Sequence, residues 1–157
     1  MKPLLDAIAD GWSWKLGKPV ALIATNSFGN AIVRNDEGHY FRLMPEEWQC
    51  ELLARSPAEL EAERKKEQFI RDWEMVPLIA RAKAALGSLA DGQVYCLVIP
   101  SVLGGKYSEE NIRIISLQEL LAYSGSMARQ LEKIPDDERA VIVPNKGQPN
   151  SEGRVTR

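Results

Sequence analysis

The chain has 157 residues, of which 45% are hydrophobic and 27% charged, and its formal net charge is −2. This length suits one domain of ordinary size, and the charge balance is not that of a nucleic-acid-binding domain, which neutralises phosphates with excess Lys and Arg. No run approaches the roughly 18 apolar residues of a transmembrane helix, and the first residues lack the apolar core of a secretory signal, so we expect a cytoplasmic protein without a nucleic-acid or membrane partner.

The first third of the chain predicts an antiparallel meander after a short helix. The helix covers residues 4–9 and is ended by Asp10-Gly11. Short apolar runs rich in strand-forming residues follow, and we assign strands to 20–24, 31–34, 39–43 and 48–52. The first of these strands is predicted to be buried. The polar loop Asn35–Gly38 ends in glycine between two of the runs, which indicates a hairpin.

The middle of the chain is predicted to be helical. Ser56 precedes Pro57 and stands three residues before Glu59, which are the residue types of a helix-starting capping box. A later apolar face has the spacing i, i+4, i+7 and i+11, at Phe69, Trp73, Val76 and Ala80. Pro77 lies inside this run, so it either kinks one helix or begins a second.

The last part predicts a strand–loop–helix–strand unit. Strands at 95–99 and 111–115 flank a glycine-containing loop, a second capping box at Ser116 starts a helix, and a short strand follows at 140–143. Gly125 within this helix weakens it but allows close packing. Residues 144–157 have almost no apolar side chains and are predicted to be disordered.

These elements predict an α+β fold with an antiparallel meander at the N-terminus, then central helices, and then the strand–loop–helix–strand unit, which packs on the meander. We divide the chain into a β-rich segment at 1–66, an α+β domain at 67–143 that shares one core with it, and a tail at 144–157.

Catalytic and metal-binding residue types are scarce. His39 is the single histidine, and it follows the hairpin glycine with no nucleophile marked nearby. Cys50 and Cys96 are far apart and lie in apolar runs, which favours buried thiols over a disulfide or a zinc site. We therefore expect no cofactor, no metal and no enzymatic activity; an enzyme using paired carboxylates is a minor alternative.

The Gly104-Gly105-Lys106 loop supports a second hypothesis, a regulatory module that binds a small ligand or nucleotide. Two glycines expose backbone N–H groups beside a lysine, as in phosphate-binding loops. The full phosphate-loop motif is absent because Pro100 stands where its first glycine belongs and Tyr107 follows the lysine.

Acidic pairs and tryptophans are the remaining candidates for function. The pairs Glu46-Glu47, Glu109-Glu110 and Asp136-Asp137 are expected to be solvated loop charges, since adjacent acids point to different sides of an element. Trp14 and Trp73 are expected in the core. An exposed Trp12 or Trp48 could instead anchor a protein partner.

An ordered series of segments resembles a known family. The segments are Trp12–Gly17, Asn26–Asn30, Tyr40–Glu47, Phe69–Met75, Leu86-Gly87, Tyr95–Tyr107 with Asn111, Glu119-Leu120, Gly125–Gln130 and Ile134–Asp136. The series resembles the bacterial immunity proteins of the type VI secretion system, which pair a GAD-like N-terminal segment with a characteristic C-terminal domain. The resemblance runs from about Trp12 to Val143.

The resemblance implies a role in bacterial competition: such proteins bind and neutralise a toxin, in the best-known case a DNase effector, in the cytoplasm of the producing cell. It implies no catalytic residues. We expect occlusion of the toxin by acidic groups and aromatic anchors. The oligomeric state stays open. The candidate partner-binding residues are Glu46, Glu47, Trp48, Lys106, Tyr107, Glu109, Glu110, Asp136 and Asp137.

Overall fold

The structure, a computed structural model, describes residues 2–135. In chain order its helices and strands are α1 (Lys2–Leu16), β1 (Pro19–Thr25), β2 (Ala31–Asn35), β3 (Tyr40–Met44), β4 (Gln49–Ala54), α2 (Pro57–Arg64), α3 (Glu67–Glu74), α4 (Val76–Leu86), β5 (Gln93–Leu97), β6 (Ile112–Ser116) and α5 (Leu117–Glu132). The predicted α+β class and N-terminal meander are confirmed. The predicted strand at 140–143 and the tail at 144–157 lie outside the described residues.

Strands β1 to β4 form one antiparallel sheet in sequence order, and β5 and β6 pair antiparallel in a second. The hairpin between β2 and β3 is stabilised by Asn35, whose Oδ1 accepts the backbone N–H groups of Glu37 and His39. The amide of Asn35 also donates to the Leu16 carbonyl at 2.8 Å, which fixes the end of α1 on the hairpin. The expectation of a buried first strand is wrong, because β1 is an edge strand with half-exposed and exposed side chains.

Alternation along the strands gives the sheet two apolar faces. Val33 and Leu43 belong to the core formed with α1 and α5, whereas Ile32 and Tyr40 belong to a separate cluster with Leu60 of α2 and Phe69 of α3. Neighbouring residues of a strand point to opposite faces, so each side of the sheet can bury its own set of side chains. The helices α2 and α3 therefore cover the face that α1 and α5 leave free.

Helix α1 is much longer than the predicted helix at 4–9. Asp10-Gly11 does not end it, and it continues through Trp12 to Leu16. Gly11 is buried inside the helix, where a Cβ would lie 2.6 Å from the Leu121 carbonyl oxygen of α5. Tertiary packing of the two helices thus outweighs the low helix propensity of glycine.

Gly125 of α5 makes the matching close approach. A Cβ there would overlap the backbone of Gly11, so the helices touch through two glycines. The indole Nε1 of Trp14 donates to the carbonyl oxygens of Gly11, at 2.7 Å, and Gly125, at 3.2 Å. The expectation that Gly125 allows close packing is confirmed.

The central helical region is interrupted at Met75, which has a positive φ of 48° and separates α3 from α4. Pro77 therefore begins a second helix and does not kink a longer one. Val76 is 64% exposed, so the predicted continuous face of Phe69, Trp73, Val76 and Ala80 is wrong beyond Trp73. The regular spacing of these apolar residues in the sequence gives no sign that one helix ends and another begins at Met75.

Both predicted helix starts are confirmed. The hydroxyl oxygen of Ser56 accepts the Glu59 backbone N–H at 3.1 Å, and that of Ser116 accepts the Glu119 N–H at 3.0 Å. Within residues 2–135, no helix has the length and apolar composition that crossing a bilayer requires.

Gly125→Ala is expected to lower the free energy of unfolding by about 2 kcal/mol, because overlap with a backbone that cannot move aside exceeds the gain of about 1 kcal/mol in helix propensity. The urea unfolding midpoint measures the effect. The neighbouring exposed Ser126→Ala is the control and should change the midpoint little. A midpoint for Gly125→Ala equal to or above that of the wild type would contradict the tight contact.

Candidate partner-binding site

A cleft of about 570 Å³ lies between the sheet and helices α3 and α4. Of the predicted site residues, Glu46, Glu47 and Tyr107 line it, and Glu109 reaches its edge through Arg81. Trp48, Lys106 and Glu110 do not line this cleft. Asp136 and Asp137 lie outside the described residues.

A short 3-10 turn brings Glu46 to the floor of the cleft. Pro45 follows β3 directly and starts the turn Pro45–Glu47, and the N–H of Trp48 donates to the Pro45 carbonyl at 3.2 Å. Glu46 is only 4% exposed, whereas its neighbour Glu47 is half-buried. The expectation that both acids are solvated loop charges is therefore wrong for Glu46.

Glu46 is linked to a buried arginine through an asparagine. The amide Nδ2 of Asn30 donates to Glu46 Oε1 at 2.7 Å, and the Oδ1 of Asn30 accepts from Nε and Nη2 of Arg42 at 3.1 and 2.8 Å. Asn30 is fully buried and Arg42 is 7% exposed. The three side chains form a polar network in which the asparagine separates the two charged groups.

The guanidinium of Arg42 also holds helix α3. Its carbon atom Cζ lies 5.5 Å from the ring centre of Phe69 and 5.4 Å from that of Trp73. The two rings stack on each other with centroids 5.9 Å apart. The Trp73 carbonyl accepts from the Asn26 amide at 2.8 Å, so α3 is attached to the turn before β2 as well.

Burial changes the acid strength of Glu46. Desolvation raises its pKa from 4.5 to about 7, and its own backbone N–H, the Asn30 amide and the charge of Arg42 offset only part of this rise. The pKa of Tyr107 is also raised, first by burial and then by the charges of Glu46 and Glu47.

Tyr107 closes one side of the cleft. Its hydroxyl donates to Glu47 Oε2 at 3.0 Å, and its backbone carbonyl accepts from Arg81 Nη2 at 3.1 Å. Arg81 also lies 3.8 Å from the carboxylate of Glu109. This wall therefore joins the turn after β3 to α4 and to the segment before β6.

The Gly104-Gly105-Lys106 loop uses its polar backbone groups internally. The N–H groups of Gly104 and Gly105 donate to carbonyls of Ser101 and Pro100. Asn111 fastens the loop, because its amide donates to the Lys106 carbonyl at 2.9 Å and to the Ile99 carbonyl at 2.9 Å. The glycine N–H groups are therefore not free for a phosphate, and this geometry does not favour the nucleotide-binding alternative.

Neither tryptophan proposed as an exposed anchor is exposed. Trp12 is 1% exposed, and its Nε1 has no hydrogen-bond partner among the residues that the structure describes. Trp48 is 9% exposed, has a positive φ of 52° and meets the ring of Tyr123 edge-on at 6.5 Å. Both rings belong to the core between the sheet and α5.

The reactive residue types are dispersed. His39 is half-buried in the hairpin, 3.9 Å from Glu37. Cys96 is buried and Cys50 half-buried; burial raises the pKa of both thiols, that of Cys50 to about 12. Within residues 2–135 no three His, Cys, Asp or Glu side chains are grouped to hold a metal ion.

Sequence reasoning missed Asn30 and Arg42. A usable signal was present in β3, where Arg42 shares a face with Tyr40 and Met44, two large apolar side chains. An arginine at such a position is buried only with acceptors around it, which indicates a polar network. Asn30 appeared only at the end of the Asn26–Asn30 segment of the family resemblance, and nothing in its local sequence connects it to Arg42.

Comparison with known proteins identifies the family. Residues 54–128 match the family model for the C-terminal domain of the type VI secretion system immunity protein Tdi1. Residues 54–128 therefore belong to the family of type VI secretion immunity protein C-terminal domains. The match covers α2 to β6 and most of α5, and so includes the α3, α4 and Tyr107 walls of the cleft. The GAD-like resemblance of the N-terminal segment stays a prediction.

One solved structure supports the fold. The crystal structure of Atu4351 from Agrobacterium tumefaciens matches this chain with a TM-score of 0.54 and 17% sequence identity, over 80% of this chain and 63% of that chain. The present chain thus spans less than two thirds of that chain, and the likeness shows a shared fold. No curated protein matches the chain.

Glu46→Gln is expected to remove a pH-dependent loss of stability. Between about pH 4.5 and 7 the folded protein keeps a proton on Glu46 that the unfolded chain releases. The contribution of this proton to the free energy of unfolding is therefore fully present below pH 4.5 and is lost as the pH rises to 7. Glutamine keeps an acceptor for Asn30 and cannot ionise. Relative to wild type, the variant should gain about 3 kcal/mol in unfolding free energy between pH 4.5 and 8.

Urea unfolding at several pH values measures this difference. Glu110→Gln, which changes an exposed acid outside the cleft, is the control and should follow the wild type at every pH. A constant difference between Glu46→Gln and wild type across this range would show that Glu46 is already ionised in the folded protein at low pH.

Proposed function

We propose that this protein is an immunity protein, which binds a toxin delivered by the type VI secretion system and neutralises it by covering its active site. The observation that carries the proposal is the family match over residues 54–128. The family assignment also favours a binding protein over an enzyme. The cleft beside Glu46 and Glu47 adds a recessed surface that combines charged and apolar side chains, and charged groups of this kind give protein interfaces specificity.

We further propose that the toxin is a nuclease acting on DNA. A DNase needs a basic surface to hold phosphates, and an acidic surface on its inhibitor complements that charge. Glu47 lies at the cleft, and Glu109 and Glu110 are exposed on the segment beside it. These residues are the candidate acidic contact surface.

The direct test is co-expression with the protein encoded by the gene immediately upstream, which we expect to be the secreted effector. The toxic C-terminal domain of that effector should stop growth when expressed alone, and this protein should restore growth and co-purify with the domain. Continued growth arrest, together with the absence of a complex, would refute the proposed function.

Glu109→Lys combined with Glu110→Lys is expected to weaken toxin binding about tenfold at low salt, since it replaces attraction by repulsion. The difference from wild type should shrink as salt rises, because exposed charges are screened. Glu37→Lys combined with Glu61→Lys, a charge-matched pair on the hairpin and α2, is the control. Dissociation constants at two salt concentrations measure the effect; equal losses for both pairs would argue against a contact at Glu109 and Glu110.

A further inference from the structure

The floor of the cleft presents a buried carboxyl group, Glu46, that forms no direct ion pair with any residue that the structure describes. Glu46 accepts from the Asn30 amide and from its own backbone N–H. Among residues 2–135 no Lys, Arg or His nitrogen forms a salt bridge with it. Burying a carboxylate with only neutral donors is unfavourable, and a cation at hydrogen-bond distance would restore the lost solvation.

The basic side chains around the cleft are already engaged. Arg42 is held by the Asn30 oxygen and by two aromatic rings, and its Nη2 lies 3.4 Å from the Asp72 carbonyl. Arg71 pairs with Glu67 at 3.2 Å. Arg81, as described above, is held by Tyr107 and Glu109. None of the three supplies Glu46 with a direct ion pair.

Further acids face the same space. Glu47 stands beside Glu46 and accepts the neutral hydroxyl of Tyr107, and Glu51 of β4 lines the cleft on the sheet side. Asp72 of α3 lies opposite, where its carboxylate accepts from Gln68 at 3.0 Å. Among the described residues that line the cleft, Arg42 is the one cation left once the pairs of Arg71 and Arg81 are set aside, whereas the lining has four acids.

The shape of the cleft also suits a long side chain. Its volume of about 570 Å³ is in the range of pockets that hold a small ligand, about 300–1,000 Å³. Met44, Met75 and Leu78 line it with flexible or apolar groups. Lysine and arginine bury their aliphatic stems on such surfaces while the charged end binds an acceptor.

We propose that the cleft receives one lysine or arginine side chain of the toxin, whose cationic end pairs with Glu46 and Glu47. The inference rests on the proposed function and adds the chemistry of the contact. Occupation of the cleft stabilises the ionised form of Glu46, so the complex forms with release of a proton. Binding of the toxin is therefore tighter at pH values where Glu46 is already ionised.

The test uses the full chain and the C-terminal domain of the upstream-encoded effector. Calorimetry at pH 6, 7 and 8 and constant ionic strength gives dissociation constants for wild type, Glu46→Gln and the control Glu61→Gln, which changes an exposed acid of α2 outside the cleft. With a pKa of about 7 for Glu46, wild-type affinity should rise about tenfold from pH 6 to 8 relative to Glu46→Gln. Titration of the toxin itself affects both proteins equally and cancels in this comparison. Glu61→Gln should follow the wild type.

Substitution of each lysine and arginine of the toxin domain by alanine supplies a second measurement. One of these changes should weaken binding to the wild type at pH 8 and have little further effect on Glu46→Gln, which identifies the inserted side chain. Since glutamine keeps the Asn30 bond and is expected to stabilise the fold at this pH, weaker binding by Glu46→Gln does not reflect unfolding.

The outcomes separate the two proposals. If the toxin domain binds the wild type and Glu46→Gln equally at every pH, the cleft inference is overturned and the proposed function stands. If the domain binds neither protein, the proposed function fails, and the cleft inference fails with it.

Discussion

The buried guanidinium of Arg42 connects the parts of the molecule that form the cleft. It lies over the aromatic rings of Phe69 and Trp73 in α3, and it donates a hydrogen bond to the Asn30 side chain in the turn before β2. Cation–π contacts and charge-assisted hydrogen bonds are strong where water is excluded. Because Arg42 itself lies on β3 and lines the cleft, one side chain links the sheet to α3 at this site.

The same network leaves Glu46 in an unfavourable environment. Asn30 separates the carboxyl from the guanidinium, so the two charges are close without forming a direct pair. A group held in this way lowers the stability of the free protein at neutral pH. Such a cost is common at functional sites, where a partner removes it on binding. The chemistry of the cleft and the family assignment are therefore compatible with one role, recognition of a toxin.

Local contacts account for the parts of the fold that the sequence predicted well. The helix starts at Ser56 and Ser116 and the hairpin at Asn35 depend on hydrogen bonds between residues at most four positions apart. The length of α1 does not depend on such local contacts, because the helix continues through Gly11 at the point where α5 packs against it. The break at Met75 was one of two alternatives that Pro77 left open, because the apolar spacing continues across it.

The sequence by itself determined the α+β class, the order of strands and helices, the scarcity of catalytic residue types and the family resemblance. It also placed Glu46, Glu47 and Tyr107 among the candidates. Only the tertiary structure decided that Glu46 is buried beside Asn30 and that Trp48 is a core residue. Burial is a property of what packs against a residue, and the partners of Glu46 come from distant positions whose contact no local pattern encodes.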